Sequence, residues 1–260
     1  MQSLLTQAAL SAASGSVVGF SLGLVGGGGS ILAVPLLVYV VGVNDPHVAI
    51  GTSAIAVAVN AGANLAAHAR SGNVKWRCAT TFAVAGVAGA YFGSTLGKIM
   101  DGQRLLVLFA VLMIVVGGLM LRNRAHVGNS AVSLSKENLP KLIASGLGVG
   151  VLSGFFGIGG GFLIVPALML ATGMPMLNAV GSSLVSVTAF GLTTAANYAL
   201  SGLIDWQIAF LFIAGGIFGG LIGARLAKSL DSHRGALTFV FAGLIFAVAV
   251  YILFRYLSPT

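Results

Sequence analysis

Carboxylates are almost missing from this sequence: Asp45, Asp101, Glu137, Asp205 and Asp231 are its only acids, and all five fall in loops or at the ends of apolar segments. A cation site inside a bilayer would call for an acid in mid-span, so that class of site is disfavoured. Cysteine is nearly as scarce. The single Cys78 rules out a disulfide within the chain and any multi-thiolate metal site, and reads as a small buried apolar residue. The Gly-x-x-x-x-Gly-Lys-Ser/Thr loop that cradles nucleotide phosphates is absent, so nothing points to ATP. With four histidines, one cysteine and no acid in mid-span, no catalytic constellation can be assembled, and neither an enzyme nor a bound cofactor is expected. Met1 to Leu10 contain no Lys or Arg, so the charged start of a secretory signal peptide is missing.

Apolar residues fill the space left by charge. Of 260 residues 57% are hydrophobic and 7% charged, against roughly 25% charged in a soluble domain; the mean hydropathy is +1.03. At about 20 residues per membrane span there is room for about ten. The net charge of +8 could suggest nucleic acid, but the basic residues lie in short gaps between apolar runs, where they report membrane topology.

The sequence repeats itself. At a shift of 131, Gly19, Gly23, Gly26, Gly28, Gly29, Leu32, Val34, Pro35, Leu37 and Gly42 meet identical residues at 150, 154, 157, 159, 160, 163, 165, 166, 168 and 173. One residue is then lost, and a shift of 130 pairs Trp76, Gly86, Gly89, Gly93, Lys98, Asp101 and Arg104 with Trp206, Gly216, Gly219, Gly223, Lys228, Asp231 and Arg234. Chance does not place Trp, Pro, Lys, Asp and Arg in one register. The halves are residues 1–121 and 141–260, separated by a polar, solvent-exposed linker at 122–140.

Apolar segments fall at roughly 8–43, 47–67, 78–98 and 104–121, then at 141–173, 177–198, 207–228 and 234–257. The first of each half is too long for one pass: some 35 helical residues reach about 50 Å, against a hydrocarbon core of about 30 Å. Each is interrupted by glycine, at Gly26-Gly27-Gly28-Gly29 and at Gly157-Ile158-Gly159-Gly160-Gly161, so each folds back or crosses twice. Counted as two passes, it gives five per half and inverts the second half. The cytoplasmic side then holds Arg70, Lys75, Arg77, Arg122, Arg124, Lys136, Lys141, Arg225, Lys228 and Arg234, against Lys98, Arg104 and Arg255 outside. Counted as one pass, the split weakens to eight against five. The positive-inside rule therefore favours an all-α polytopic fold of two inverted five-pass repeats, with both termini outside the cell.

Inverted repeats with interrupted helices mark secondary transporters, whose sites lie near the midplane where the breaks converge. The residues after each break, Ser30-Ile31-Leu32 and Gly161-Phe162-Leu163, start half-helices whose free N–H groups and positive dipole ends suit an anion. The other glycines, at 86, 89, 93, 216, 219 and 223, read as helix-packing positions.

Neutral polar residues near the breaks are candidate ligands: Thr52, Ser53, Asn60 and Asn64 in the first half, and Ser182, Ser183, Ser186, Thr188, Thr193, Thr194 and Asn197 in the second. Asn60 and Asn64, four apart, share a helix face. Such groups solvate an oxyanion without burying a second charge; their alternative role is hydrogen bonding between or within helices. His68 and its repeat partner Tyr198 are candidates for gating or proton coupling, or else interfacial rings. Arg70 can draw anions to the mouth or simply fix topology.

The pattern Gly-x-Gly-Gly-Gly-x-x-x-Val-Pro at 157–166, with its first-half counterpart Gly26 to Pro35, resembles the TauE/SafE family of sulfite exporters. Gly-Thr-Ser and Gly-Ser-Ser at 51–53 and 181–183, and Ser-Gly-x-x-x-Trp at 71–76 and 201–206, extend the resemblance over essentially the whole chain. Ser30 stands where the second half has Gly161. The resemblance implies a permease of the cell membrane for sulfite, sulfoacetate or a related small sulfur oxyanion. Its expected partners are that anion and the lipid bilayer, with a homo-oligomer left open and nucleic acid excluded. An anion channel, or a permease for another small carboxylate or sulfur anion, is the rival expectation.

Overall fold

The computed structural model describes residues 4–122, 133–157 and 161–231, together with 243, 246–251 and 254. Among the described residues all regular structure is helical. The first half comprises α1 (Leu4–Val25), a 3-10 segment (Gly26–Leu32), the short α2 (Ala33–Leu36), a π-helical turn (Leu37–Val41), α3 (Pro46–Arg70), α4 (Trp76–Ile99) and α5 (Gly102–Arg122). The second comprises α6 (Leu139–Phe156), α7 (Gly161–Thr172), α8 (Met176–Ala199) and α9 (Trp206–Asp231). Residues 246–251 are also helical. Of these, α1, α3, α6, α8 and α9 are each long and apolar enough to cross a bilayer. Most of the polar linker lies outside the described residues.

Local chemistry places the boundaries. Asp45 caps α3, its carboxylate accepting the His47 N–H at 2.8 Å with Pro46 in the first turn. Among the described residues six glycines adopt positive φ, and they form three repeat-related pairs: Gly26 with Gly157, Gly42 with Gly173, and Gly72 with Gly202. The left-handed backbone these positions need is open to glycine at little cost, which is why glycine stands there in both halves.

The most extensive helix pairings are α1 along α9 and α6 along α4. Both are built on glycine. A Cβ on Gly15, Gly19 or Gly23 would overlap the backbone of Phe212, Gly216 or Gly220, and one on Gly146, Gly150 or Gly154 that of Phe82, Gly86 or Ala90. Residue numbers rise together in each series, so both pairs are parallel. The central pair, α3 and α8, runs the other way: Gly51 meets Tyr198 and Leu203, Gly62 meets Thr188, and Asn73, just past α3, meets Gly181. Because short turns reverse the chain between α3 and α4 and between α8 and α9, α1 and α6 point in opposite directions.

The outer faces of α4 and α9 are apolar and exposed, as in Val84 (76%), Phe92 (65%), Phe210 (67%) and Phe218 (68%). Trp76 and Trp206 sit half-exposed at the starts of these helices, the placement of an interfacial aromatic belt.

Two neighbouring glycines on α6 should respond in opposite directions. Gly150→Ala drives a Cβ into the Gly86 carbonyl and should cost about 1–3 kcal/mol. Gly148 has nothing within 4 Å of its would-be Cβ, so Gly148→Ala should gain roughly 0.5–1 kcal/mol in helix propensity. Unfolding midpoints in one detergent compare them, and equal shifts would contradict this packing.

Candidate functional site

Each glycine break rests on the other half. After α1 ends, Gly26 turns the chain at φ 65° and the Gly27 N–H donates to Ser183 Oγ on α8 at 3.0 Å. Ser183 in turn donates to the Val180 carbonyl at 2.8 Å. The second break mirrors this geometry. Gly157 turns at φ 66° against Ile50 of α3, and Ser53 donates to the Ile50 carbonyl at 2.8 Å. The breaks also meet one another: a Cβ on Gly27 would lie 2.6 Å from Gly161 Cα, and one on Gly161 would overlap the Gly27 carbonyl. Gly29 is pressed against Ser21 and Leu22 of α1, and Gly28 belongs to the same 3-10 segment. Gly159 and Gly160 lie outside the described residues.

α7 is helical from Gly161, the first described residue after the second break, while the first half-helix becomes α-helical only at Ala33, past the expected Ser30. The Ser30 hydroxyl donates to the Gly27 carbonyl at 2.8 Å, and the Ala33 N–H closes on Ser30 O, an i to i+3 bond that keeps this stretch wound as a 3-10 helix.

Thr52 and Ser182 hold loops. Thr52 Oγ1 accepts the Asp205 N–H at 2.9 Å, and Ser182 Oγ accepts the Lys75 N–H at 2.9 Å. In each case the turn leaving one central helix is tied to the other central helix.

Asn60, Asn64 and His68 stand at successive turns on one face of α3, all buried. Asn60 lies against Gly216 and Asn64 against Gly220 of α9. Asn64 Nδ2 donates to the Asn60 carbonyl at 2.9 Å, whereas both polar atoms of the Asn60 amide are buried with no hydrogen-bond partner. His68 Nε2 donates to the Gly23 carbonyl at 3.0 Å, in the last turn of α1, where carbonyls lose their intrahelical partners. Arg70 is exposed at the end of α3. Of the second-half hydroxyls, Thr188 and Thr193 bond back to their own helix, while Ser186 and Thr194 are buried without a partner.

Tyr198 is fully buried, its hydroxyl unpartnered. Asn197 belongs to a cluster that sequence reasoning did not anticipate. Lys98 Nζ of α4 donates to the Asn197 carbonyl at 3.1 Å, to Asn197 Oδ1 at 2.8 Å and to Ser201 Oγ at 2.9 Å, and lies 5.9 Å from the Tyr198 ring centroid. Asn197 Nδ2 donates to Ser94 Oγ at 2.6 Å and Thr95 Oγ1 at 3.0 Å. The available signal was Lys98 itself, a charge one residue inside the end of an apolar helix.

These features define an integral, polytopic α-helical membrane protein with two glycine-broken helices that meet inside it. The family model described as Sulfite exporter TauE/SafE matches residues 11–252, and the chain belongs to that family. It is 55% identical over 243 residues to a probable membrane transporter protein of Xylella fastidiosa (strain 9a5c), covering 93% of each chain. It is 29% identical over 239 residues to the probable membrane transporter protein YunE of Bacillus subtilis (strain 168), covering 84% of this chain and 88% of that one. With the probable membrane transporter protein MJ0441 of Methanocaldococcus jannaschii it shares 31% over 202 residues, 74% and 71% of the two chains. No solved structure matches the chain. A transporter is the function that this membership supports.

Ser183→Ala strips the Gly27 N–H of its acceptor in a buried setting, and should lower stability by about 1–3 kcal/mol. Ser183→Thr, which keeps a hydroxyl, should recover part of that loss; an unshifted midpoint for Ser183→Ala would remove the bond from any structural role.

Proposed function

We propose that this protein is a secondary transporter that moves a small oxyanion, such as sulfite or an organosulfonate like sulfoacetate, across the cell membrane by alternating access. The observation that carries this is the meeting of the two glycine breaks, with Gly27 and Gly161 backbone to backbone and each break held by the opposite half. A ligand between them would touch N–H groups and neutral hydroxyls, the donors an oxyanion needs, without a carboxylate to repel it.

The halves, 1–121 and 141–260, act as two inverted repeats of five passes joined by the cytoplasmic linker 122–140. The opposed directions of α3 and α8, and of α1 and α6, support that arrangement, as do the repeat-paired left-handed glycines. Both termini then lie outside the cell. The binding set comprises Gly26 to Ser30, Thr52, Ser53, Asn60, Asn64, Gly157, Gly159 to Gly161, Ser182, Ser183 and Asn197, with His68, Arg70 and Tyr198 toward the mouths. Gly27 packed on Gly161 favours a carrier over an open pore, since nothing passes between the breaks unless they part.

Counterflow in proteoliposomes tests the function. Preloaded with sulfite, thiosulfate, sulfoacetate or sulfate, vesicles should accumulate the labelled anion transiently, and a carboxylate control should not. If none of the four oxyanions exchanges, the assignment fails. Currents far above carrier turnover under voltage clamp would make the protein a channel instead.

A further inference from the structure

Resting on the anion-transporter reading, we propose that the anion reaches the midplane along the seam between α1, α3 and α9, a groove that is closed in this conformation. Its rungs are His68, Asn64 and Asn60, with the Asn60 amide as the innermost contact.

The three helices run parallel, so their facing residues stack in layers one helical turn apart. Gly19 and Gly216 share a layer with Asn60, Gly23 and Gly220 one with Asn64, and His68 closes the series on the Gly23 carbonyl. At about 1.5 Å per residue, the eight residues from Asn60 to His68 cover about 12 Å, from the middle of α3 to its end. The mouth is basic. Arg70 ends α3, and Lys75 and Arg77 follow it around the turn into α4, where their field raises the local concentration of an anion.

The Asn60 amide lacks the partners that a ligand would supply. Burying an amide without partners is unfavourable, and both polar atoms of Asn60 are in that state. The repeat-related position carries no such group. There Phe190 stands against Gly86 and stacks on Phe82 with ring centroids 6.3 Å apart. One half thus keeps a polar side chain at the innermost rung where the other has an aromatic block. Packing alone explains the glycines of both grooves, but not a carboxamide left unpaired in one of them.

Thiol labelling of the full-length protein in proteoliposomes tests the route, in a Cys78→Ser background. The reagent is the small anion (2-sulfonatoethyl) methanethiosulfonate, supplied on both sides of the membrane. Asn60→Cys and Asn64→Cys should label faster than Ala58→Cys and Ala61→Cys, which sit at the same depth of α3 and are equally buried. Sulfoacetate at about ten times its half-saturating concentration should slow labelling at 60 and 64 about tenfold by mass action. Using two groove positions, each checked for a monodisperse elution profile, separates misfolding of one variant from failure of the idea.

Equal labelling on both faces, no labelling at 60 and 64, or face-selective labelling that sulfoacetate leaves unchanged would each overturn the route. Counterflow without face selectivity sinks the groove and spares the transporter. Face-selective protection without counterflow sinks the transporter and spares the groove.

Discussion

Backbone-to-backbone contact is the constraint on which this structure depends. In lipid there is little hydrophobic gain from pressing one apolar helix on another, so close van der Waals approach between backbones takes over. Approach that close requires at least one partner to lack a Cβ at the crossing, and in the pairs α1/α9 and α4/α6 a glycine stands at successive crossings, on both sides at Gly19/Gly216, Gly23/Gly220 and Gly86/Gly150. The two breaks meet by the same means at Gly27 and Gly161.

A second constraint follows from interrupting helices inside a bilayer, where each unpaired backbone group costs several kcal/mol. Side chains from other elements meet that demand. Ser183 takes the Gly27 N–H, Thr52 and Ser182 take those of Asp205 and Lys75, His68 covers the Gly23 carbonyl and Lys98 that of Asn197. Some residues that resemble ligands in the sequence, such as Thr52, Ser182 and Ser183, are thus already engaged in this conformation, whereas the side chains of Asn60, Ser186 and Thr194 are not.

The sequence made the duplication and the breaks legible because both depend on glycine and proline, whose backbone consequences are local. Spans were legible too, since a bilayer imposes its own length. The hydroxyl ties were only half visible: the paired segments Gly51-Thr52-Ser53 and Gly181-Ser182-Ser183 stood out by repetition, but that each serves the opposite half is a fact of tertiary structure. Lys98 escaped because its partners on α8 lie about a hundred residues away. The 3-10 winding up to Leu32 was hidden because it is set by backbone bonds such as Ala33 N–H to Ser30 O, joined by the Ser30 hydroxyl on the Gly27 carbonyl, which no residue pattern announces.

The crossed ties Thr52 to Asp205 and Ser182 to Lys75 have a consequence for origin. Reciprocal contacts, with one residue reaching its partner's loop and the partner reaching back from the matching position, are what two copies of a single chain make across a two-fold axis. Joined in one polypeptide, the copies no longer have to be identical, and a substitution can act on one side of the axis alone. Asn60 facing Gly216 where Phe190 faces Gly86 is such a divergence: a symmetric dimer would have had to carry the amide twice or not at all.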